Sequence, residues 1–306
     1  MRQKEIILDQ SNTHRLDKLL SLLFDDHSRT YFQRLIKNGY ITINGKVAKS
    51  RDIPDSGDTI IVKIPPIPTI RAEAEADIPI DFLYEDEHII ALNKAPGIVV
   101  HPAPGHLSGT IANAVMGRLQ NYVDPIRPGI IHRLDKETSG VLLVAKNEMS
   151  HEKFSNLFAE RLIEKRYLAL TWGNPGERVV DLPIGRHTHN RQKMCVRADG
   201  KRAITKIKPL ATAGELTLLE IEILTGRTHQ IRAHLAHLNT PIIGDPLYGH
   251  KSINRRYDQE RQLLHAFKIG FCHPFTGDQK HLEAPIPDDM RRFIEEKFAG
   301  QEIDLI

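Results

Sequence analysis

The stretch 129-GIIHRLDKETSGVLLVA-145 decides how this chain is read. An apolar run, Gly129-Ile130-Ile131, enters it, a polar loop with Thr138, Ser139 and Gly140 turns the chain, and a second apolar run, 141–145, leaves. Two strand-like runs joined by a polar turn are how a scaffold presents a carboxylate at a sheet edge. Alternation along a strand puts Arg133 and Asp135 on one face and His132 and Leu134 on the other, so a cation and an anion share one side.

The five letters HRLDK also occur at 14–18, which supplies an internal control. There Leu16 joins Leu19, Leu20 and Leu23 at helical spacing behind Thr13 as a cap, and Asp17 falls near a helix N-terminus, where a carboxylate suits the dipole. That Asp17 is expected to be structural; context separates the copies. A second helix follows with Ser28 as cap, Tyr31, Phe32, Leu35 and Ile36 inside and Gly39 as stop. A strand over 40–43, the hairpin signal Asn44-Gly45 and a strand over 59–64 complete a compact unit of residues 1–66. From 28 to 51 the chain carries Arg29, Arg34, Lys37, Lys46, Lys49 and Arg51 with no acid, although the whole protein has a net charge of only +3. A basic run can simply solvate a surface, but one without a single acid favours a polyanion, here RNA.

Prolines 65, 66 and 68 and an Ala/Glu-rich segment read as a semi-rigid linker over 67–77. The second domain, 78–306, shows strands over 88–93, 166–171, 202–210, 216–224, 263–271 and 279–284. Its helices are expected over 110–119, from Ser150 as cap to 163, from Arg227-Thr228 through THQIRAHLAHL, and over 288–298. Strands dominate without regular strand-helix alternation, which predicts an α+β domain around a mixed, mainly antiparallel sheet. The length, 306 residues, fits two domains. Two cysteines far apart, Cys195 and Cys272, support neither a disulfide framework nor a zinc site, and neither a signal peptide nor a membrane-spanning run is visible. A cytoplasmic, monomeric protein is the expectation.

Several chemistries lack their marks. His229, His234 and His237 do not form an HExxH arrangement, and no metal is expected. GxGxxG after a strand, GxxxxGK[ST] and GxSxG are absent. Arg227, opening a helix, has a carboxylate or a phosphate as its natural partner. Tyr167 in KRYLAL reads, by itself, as a core aromatic.

HRLDKETSG at 132–140, KRYLAL at 165–170, LTGRTHQIRAHLA at 224–236 and GDPLYG at 244–249 resemble the successive signatures of the RluA-type pseudouridine synthases. VVHPAPGHLSGTIANAV near 99–115 and EAPIPDDM at 283–290 extend the match, and no signature position departs from the pattern. Residues 15–17 with GYITINGKV at 39–47 resemble the alpha-L RNA-binding domain of a small-subunit ribosomal protein. The resemblance implies isomerisation of uridine in RNA to pseudouridine without a cofactor, on a base drawn out of its stack. It implies that Asp135 is the catalytic carboxylate, Arg227 its charge partner, Tyr167 the ring stacked on uracil and Arg133 the residue inserted into the RNA. It also assigns His132 and Thr138 to RNA contact, together with Arg29, Arg34, Lys37, Lys46 and Lys49. The closest pattern is that of enzymes acting on large-subunit (23S) ribosomal RNA, as free RNA or within the pre-ribosomal large subunit. The alternatives are a transfer RNA substrate and a non-catalytic assembly factor, the latter with no use for the carboxylate. A metal-dependent nuclease or nucleotide hydrolase is more distant.

Overall fold

The structure is a computed structural model, and it describes residues 2–24, 29–64, 73–75, 77–102, 106–119 and 127–303. The chain divides into two compact units, 1–69 and 70–306.

The first unit contains β1 (Arg2–Ile7), α1 (Leu16–Leu23), α2 (Arg29–Lys37), β2 (Ile41–Ile43), β3 (Lys46–Val47) and β4 (Thr59–Ile64). Its sheet runs β1-β4-β2-β3, all antiparallel. The hairpin turn between β2 and β3 puts Asn44 and Gly45 at φ 48° and 78°, the left-handed pair that a two-residue turn matching strand twist demands. Leu16, Leu20, Phe32, Ile36, Ile41, Ile60 and Val62 form the core. Asp17 is fully buried and ties the helices together: it accepts Nε and Nη2 of Arg29 at 3.0 and 3.1 Å and Nε2 of Gln33 at 2.6 Å. The structural expectation for Asp17 holds. One local expectation does not, and one strand is new. Arg15, not Thr13, is the N-cap of α1, and β1, four of whose six residues are polar, joins the sheet. The expected cap Ser28 lies outside the described residues.

The second unit runs β5 (Asp81–Glu85), β6 (Ile89–Lys94), α3 (Ile111–Val115), β7 (Ser139–Ala145), α4 (Glu148–Ala159), β8 (Glu164–Trp172), β9 (Arg178–Asp181), β10 (Ile184–Arg186), β11 (Met194–Val196), β12 (Ile204–Ala213), β13 (Leu216–Ile223), α5 (Gln230–His237), α6 (Lys251–Arg256), β14 (Leu264–Cys272), β15 (Gln279–Glu283) and α7 (Asp288–Lys297). Eight strands follow the order β5-β6-β7-β14-β8-β13-β12-β9, with β15 on β14; only β7 and β14 pair in parallel. The fold is therefore α+β around a mixed, mainly antiparallel sheet, as expected. α4 is capped by Asn147, whose side chain accepts the Ser150 N–H at 2.9 Å, so Ser150 is inside the helix rather than its cap.

Every residue of β7 is buried, which explains its unbroken apolar run. Leu142 and Val144 face one core with Tyr167, Ala169, Ile231 and Leu235, while Val141 and Leu143 face another with Phe154 and Phe271. Each such side chain contributes about 1.5–3 kcal/mol by burial. Gly140 is where β7 comes closest to β14: at φ 114°, a Cβ there would stand 2.1 Å from the Ala266 carbonyl oxygen. The final glycine of HRLDKETSG is thus required by sheet geometry. Of the expected linker over 67–77, residues 67–72 and 76 lie outside the described residues. Residues 73–75 bind α3: Glu75 N–H donates to the Asn113 carbonyl and Asn113 Nδ2 to the Glu73 carbonyl.

Candidate active site

The incoming half of the opening stretch is not a strand. Ile130 makes one isolated bridge to Val144, and residues 131–138 form a loop that ends where β7 begins. Its apolar residues are explained by packing, since Ile130 and Ile131 lie against the two cores that β7 separates. Strand alternation therefore does not orient Asp135. Carbonyl capture does. Lys94, wholly buried, donates from Nζ to the carbonyls of Ala95, Ile98 and Lys136 at 2.8–2.9 Å, and Gly97 N–H also reaches Lys136. Arg261, held bidentately by Asp289, donates to the Glu137 carbonyl. The Thr138 N–H closes the turn on the Asp135 carbonyl at 3.1 Å.

His132 and Thr138, expected at the RNA, border the cleft, and each also bonds the protein. His132 Nε2 accepts the Leu143 N–H at 2.9 Å and its ring stacks on Phe158 at 4.8 Å. Burial, with Lys165 nearby, pushes its pKa down to about 3, so the ring is a neutral acceptor. Thr138 is 2% exposed and accepts from Gln262. Both secure the loop.

A cleft of about 480 Å³ opens over Asp135, within the usual range for ligand pockets. Tyr167 enters it from β8, on the face shared with Lys165. Burial, then the Asp135 charge, raises the tyrosine pKa, and its hydroxyl has no protein partner among the described residues. Arg133 is exposed and free of ion pairs among the described residues. From the far side, α5 supplies the charge partner, and here the expectation is corrected. Arg232, not Arg227, meets Asp135: its Nη1 donates to Oδ2 at 2.8 Å. Arg227 lies three residues ahead of α5 on the cleft wall and donates from Nε to the Arg202 carbonyl. The helix starts later than predicted because Gln230, 3% exposed, fastens the preceding turn, accepting Arg227 N–H and the Thr225 hydroxyl and donating to Ile204 O and Thr205 Oγ1.

Arg232 is itself gripped from behind. Its Nε and Nη2 donate to Asp245 Oδ2 and Oδ1 at 2.7 and 3.0 Å, and Asp245, fully buried, also accepts the N–H groups of Leu247 and Tyr248. Burial works against the guanidinium's charge, but the two carboxylates outweigh it and raise its pKa. Asp245 therefore orients the arginine that orients Asp135. Sequence reasoning assigned no role to Arg232 or Asp245. The available signal was an Asp within the apolar run Ile242-Ile243-Gly244-Asp245-Pro246-Leu247, since a charge placed there requires a buried partner. The three histidines considered as metal ligands have separate partners: His229 meets Tyr248, His234 meets Thr205 and the Leu182 carbonyl, and His237 is exposed.

In the first unit, Lys37, Lys46 and Lys49 are exposed and make no ion pair among the described residues. Arg29 is bound to Asp17. The side chain of Arg34 lies outside the described residues.

The RNA pseudouridylate synthase family model matches residues 88–237, and the S4 domain model matches 14–60. An uncharacterized RNA pseudouridine synthase of Bacillus subtilis is 40% identical over 292 residues, 94% of this chain and 95% of its own. The chain belongs to the RNA pseudouridine synthase family. This pseudouridine synthase is also 36% identical to ribosomal large subunit pseudouridine synthase D of Xanthomonas campestris pv. campestris, over 95% of this chain and 91% of that one. The Pseudomonas aeruginosa protein of that name is 37% identical over 90% and 89%. The solved structure of human RNA pseudouridylate synthase domain containing 4 shares the fold, with a TM-score of 0.56 at 23% identity over 71% of this chain and 93% of that one. An RNA pseudouridine synthase is an isomerase, and an RNA-binding S4 domain precedes its catalytic domain. Among the described residues no helix is long and apolar enough to cross a membrane.

Proposed function

We propose that this pseudouridine synthase modifies uridine in large-subunit (23S) ribosomal RNA and that Asp135 is the carboxylate that acts on the nucleotide. The observation carrying the catalytic reading is the Asp135–Arg232–Asp245 chain, which holds one oxygen of Asp135 at the cleft and leaves the other without a protein partner among the described residues. The ribosomal reading rests on relatives named ribosomal large subunit pseudouridine synthase D that align along nearly the whole chain.

The reaction breaks N1–C1′, forms C5–C1′ and moves the C5 proton to N1, so atoms balance without a co-reactant. The detached base has to turn over without escaping, which calls for an enclosed site and one well-held carboxylate. Tyr167 supplies a ring face against the uracil. Arg133 takes the space in the RNA stack left by the extruded base, an extrusion that costs a few kcal/mol. Arg227 at the wall and the lysines of the S4 unit meet phosphates. Domain limits of 1–66 and 78–306 joined by a linker are part of the same proposal.

Carbodiimide mapping of pseudouridines in ribosomal and transfer RNA, from cells with and without the gene, tests the substrate. Sites missing from large-subunit RNA are expected. Sites missing only from transfer RNA would overturn the ribosomal assignment.

A further inference from the structure

His229 has no part in the mechanism above, yet it stands beside Asp135 in a constrained conformation. It immediately precedes α5 with φ 53° and ψ 25°, a left-handed conformation that costs a non-glycine residue about 1–2 kcal/mol. Such strain persists where the surroundings over-determine it. Here they fix the ring. Its Nδ1 lies 3.0 Å from the Tyr248 hydroxyl oxygen, and the two rings meet edge-on with centroids 5.7 Å apart. The same phenolic oxygen accepts the Met194 N–H at 2.7 Å.

These contacts bear on where the imidazole proton sits. A backbone N–H can only donate, so Met194 occupies a lone pair of the phenol. The phenolic proton has no acceptor among the described residues other than His229 Nδ1. Burial pushes the Tyr248 pKa up to about 12, so that proton stays in place. With Nδ1 accepting, the ring of the neutral histidine carries its own proton on Nε2. This Nε2 lies 3.8 Å from Asp135 Oδ2, too far for a hydrogen bond but close enough to close into one on a small rotation. Arg232 bonds the same oxygen. Asp135 Oδ1 has no partner among the described residues.

We infer that His229 is a positioning residue for Asp135, locked by Tyr248 in the Nε2–H tautomer, and that with Arg232 it confines Oδ2 so that Oδ1 is the oxygen presented to the substrate. The inference rests on Asp135 being the acting carboxylate. The groups facing His229 are Asp135, Arg232, Asp245, Arg133 and Tyr248. Burial is the largest influence and lowers its pKa, against the pull of Asp135. A neutral donor suits the chemistry. Negative charge leaves the carboxylate when Oδ1 bonds to carbon or takes a proton, and a second full cation at Oδ2 would oppose that step.

Nitrogen-15 NMR of the histidine rings in the full chain, at a pH where His229 is neutral, reads the tautomer directly. The Nε2–H form is expected for His229, with a shift toward Nδ1–H in Tyr248→Phe; an Nδ1–H ring in the unaltered protein overturns the inference. Single-turnover kinetics supply the second arm. His229→Ala is expected to slow the chemical step by about 10–100-fold, the scale of a misplaced catalytic group, with RNA affinity unchanged. His229→Gln, whose amide N–H replaces Nε2–H, recovers most of the rate. Equal losses in both variants, or a loss confined to affinity, would refute the positioning role. Full turnover by Asp135→Asn would instead remove the catalytic reading and leave the tautomer assignment standing.

Discussion

Replacing Asp245 by Asn tests whether the residue behind Arg232 governs the one in front of it. The carboxylate receives four N–H groups, two from the Arg232 guanidinium and two from the backbone at Leu247 and Tyr248, and is fully buried. Asparagine keeps a carbonyl for the backbone donors but turns an NH₂ toward the guanidinium, so at least one charge-assisted hydrogen bond is lost. Such bonds contribute about 1.5–3 kcal/mol each, and truncating a buried ion pair costs about 3–5 kcal/mol. A loss of about 2–4 kcal/mol is therefore expected. At about 2–4 °C per kcal/mol for a unit of this size, the thermal midpoint falls by roughly 4–16 °C. Activity falls further than stability implies, because Arg232 no longer has a fixed position from which to hold Asp135. A rate loss of about 10–100-fold is expected at temperatures where the variant remains folded. The assay is tritium release from RNA carrying [5-³H]uridine, in single turnover, since C5 exchanges its hydrogen for the sugar bond. A variant with an unchanged midpoint and an unchanged rate would refute the positioning chain.

Two further outcomes follow from the loop supports and the S4 unit. Lys94→Met should destabilise the catalytic unit by about 2–4 kcal/mol, because the Ala95 and Ile98 carbonyls lose their donor while the Lys136 carbonyl keeps the Gly97 N–H. Burial pushes the lysine from an unfolded value of 10.5 down to about 7. Between those pH values the unfolded chain binds a proton that the folded chain has lost, so the lysine's contribution to stability rises with pH, and the gap between wild type and variant should widen from pH 7 toward 10. Parallel stability curves would contradict this. Replacing Lys37, Lys46 and Lys49 together by Ala should weaken RNA binding and flatten the slope of log Kobs against log salt by about 2–3, at about 0.7–0.9 per phosphate contact; an unchanged slope would show that these lysines do not meet RNA.

What could be read from sequence followed periodicity. β7, β8 and β13 were visible because their cores impose alternation or an unbroken apolar run, and the Asn44-Gly45 turn because only left-handed residues fit it. Residues 129–131 read as a strand in the sequence because packing against two cores and pairing in a sheet select the same apolar side chains. The three-residue strands β10 and β11 are too short to carry a period. At the site, Asp135 and Tyr167 were legible from motifs. The partner of Asp135 was not, because choosing between Arg227 and Arg232 depends on where α5 begins, and that is set by Gln230 bonds to a strand 25 residues earlier. The positioning role inferred for His229 leaves no mark in the sequence, since it comes from a left-handed backbone and a tyrosine 19 residues away.

The central claim is that Asp135 performs the chemistry while the rest of the cleft holds the RNA, and it is tested most directly by Asp135→Asn. In single-turnover tritium release with a ribosomal RNA fragment bound at saturation, the account predicts RNA affinity close to wild type and no release above the enzyme-free control. Release at a rate near that of the unaltered protein would contradict it.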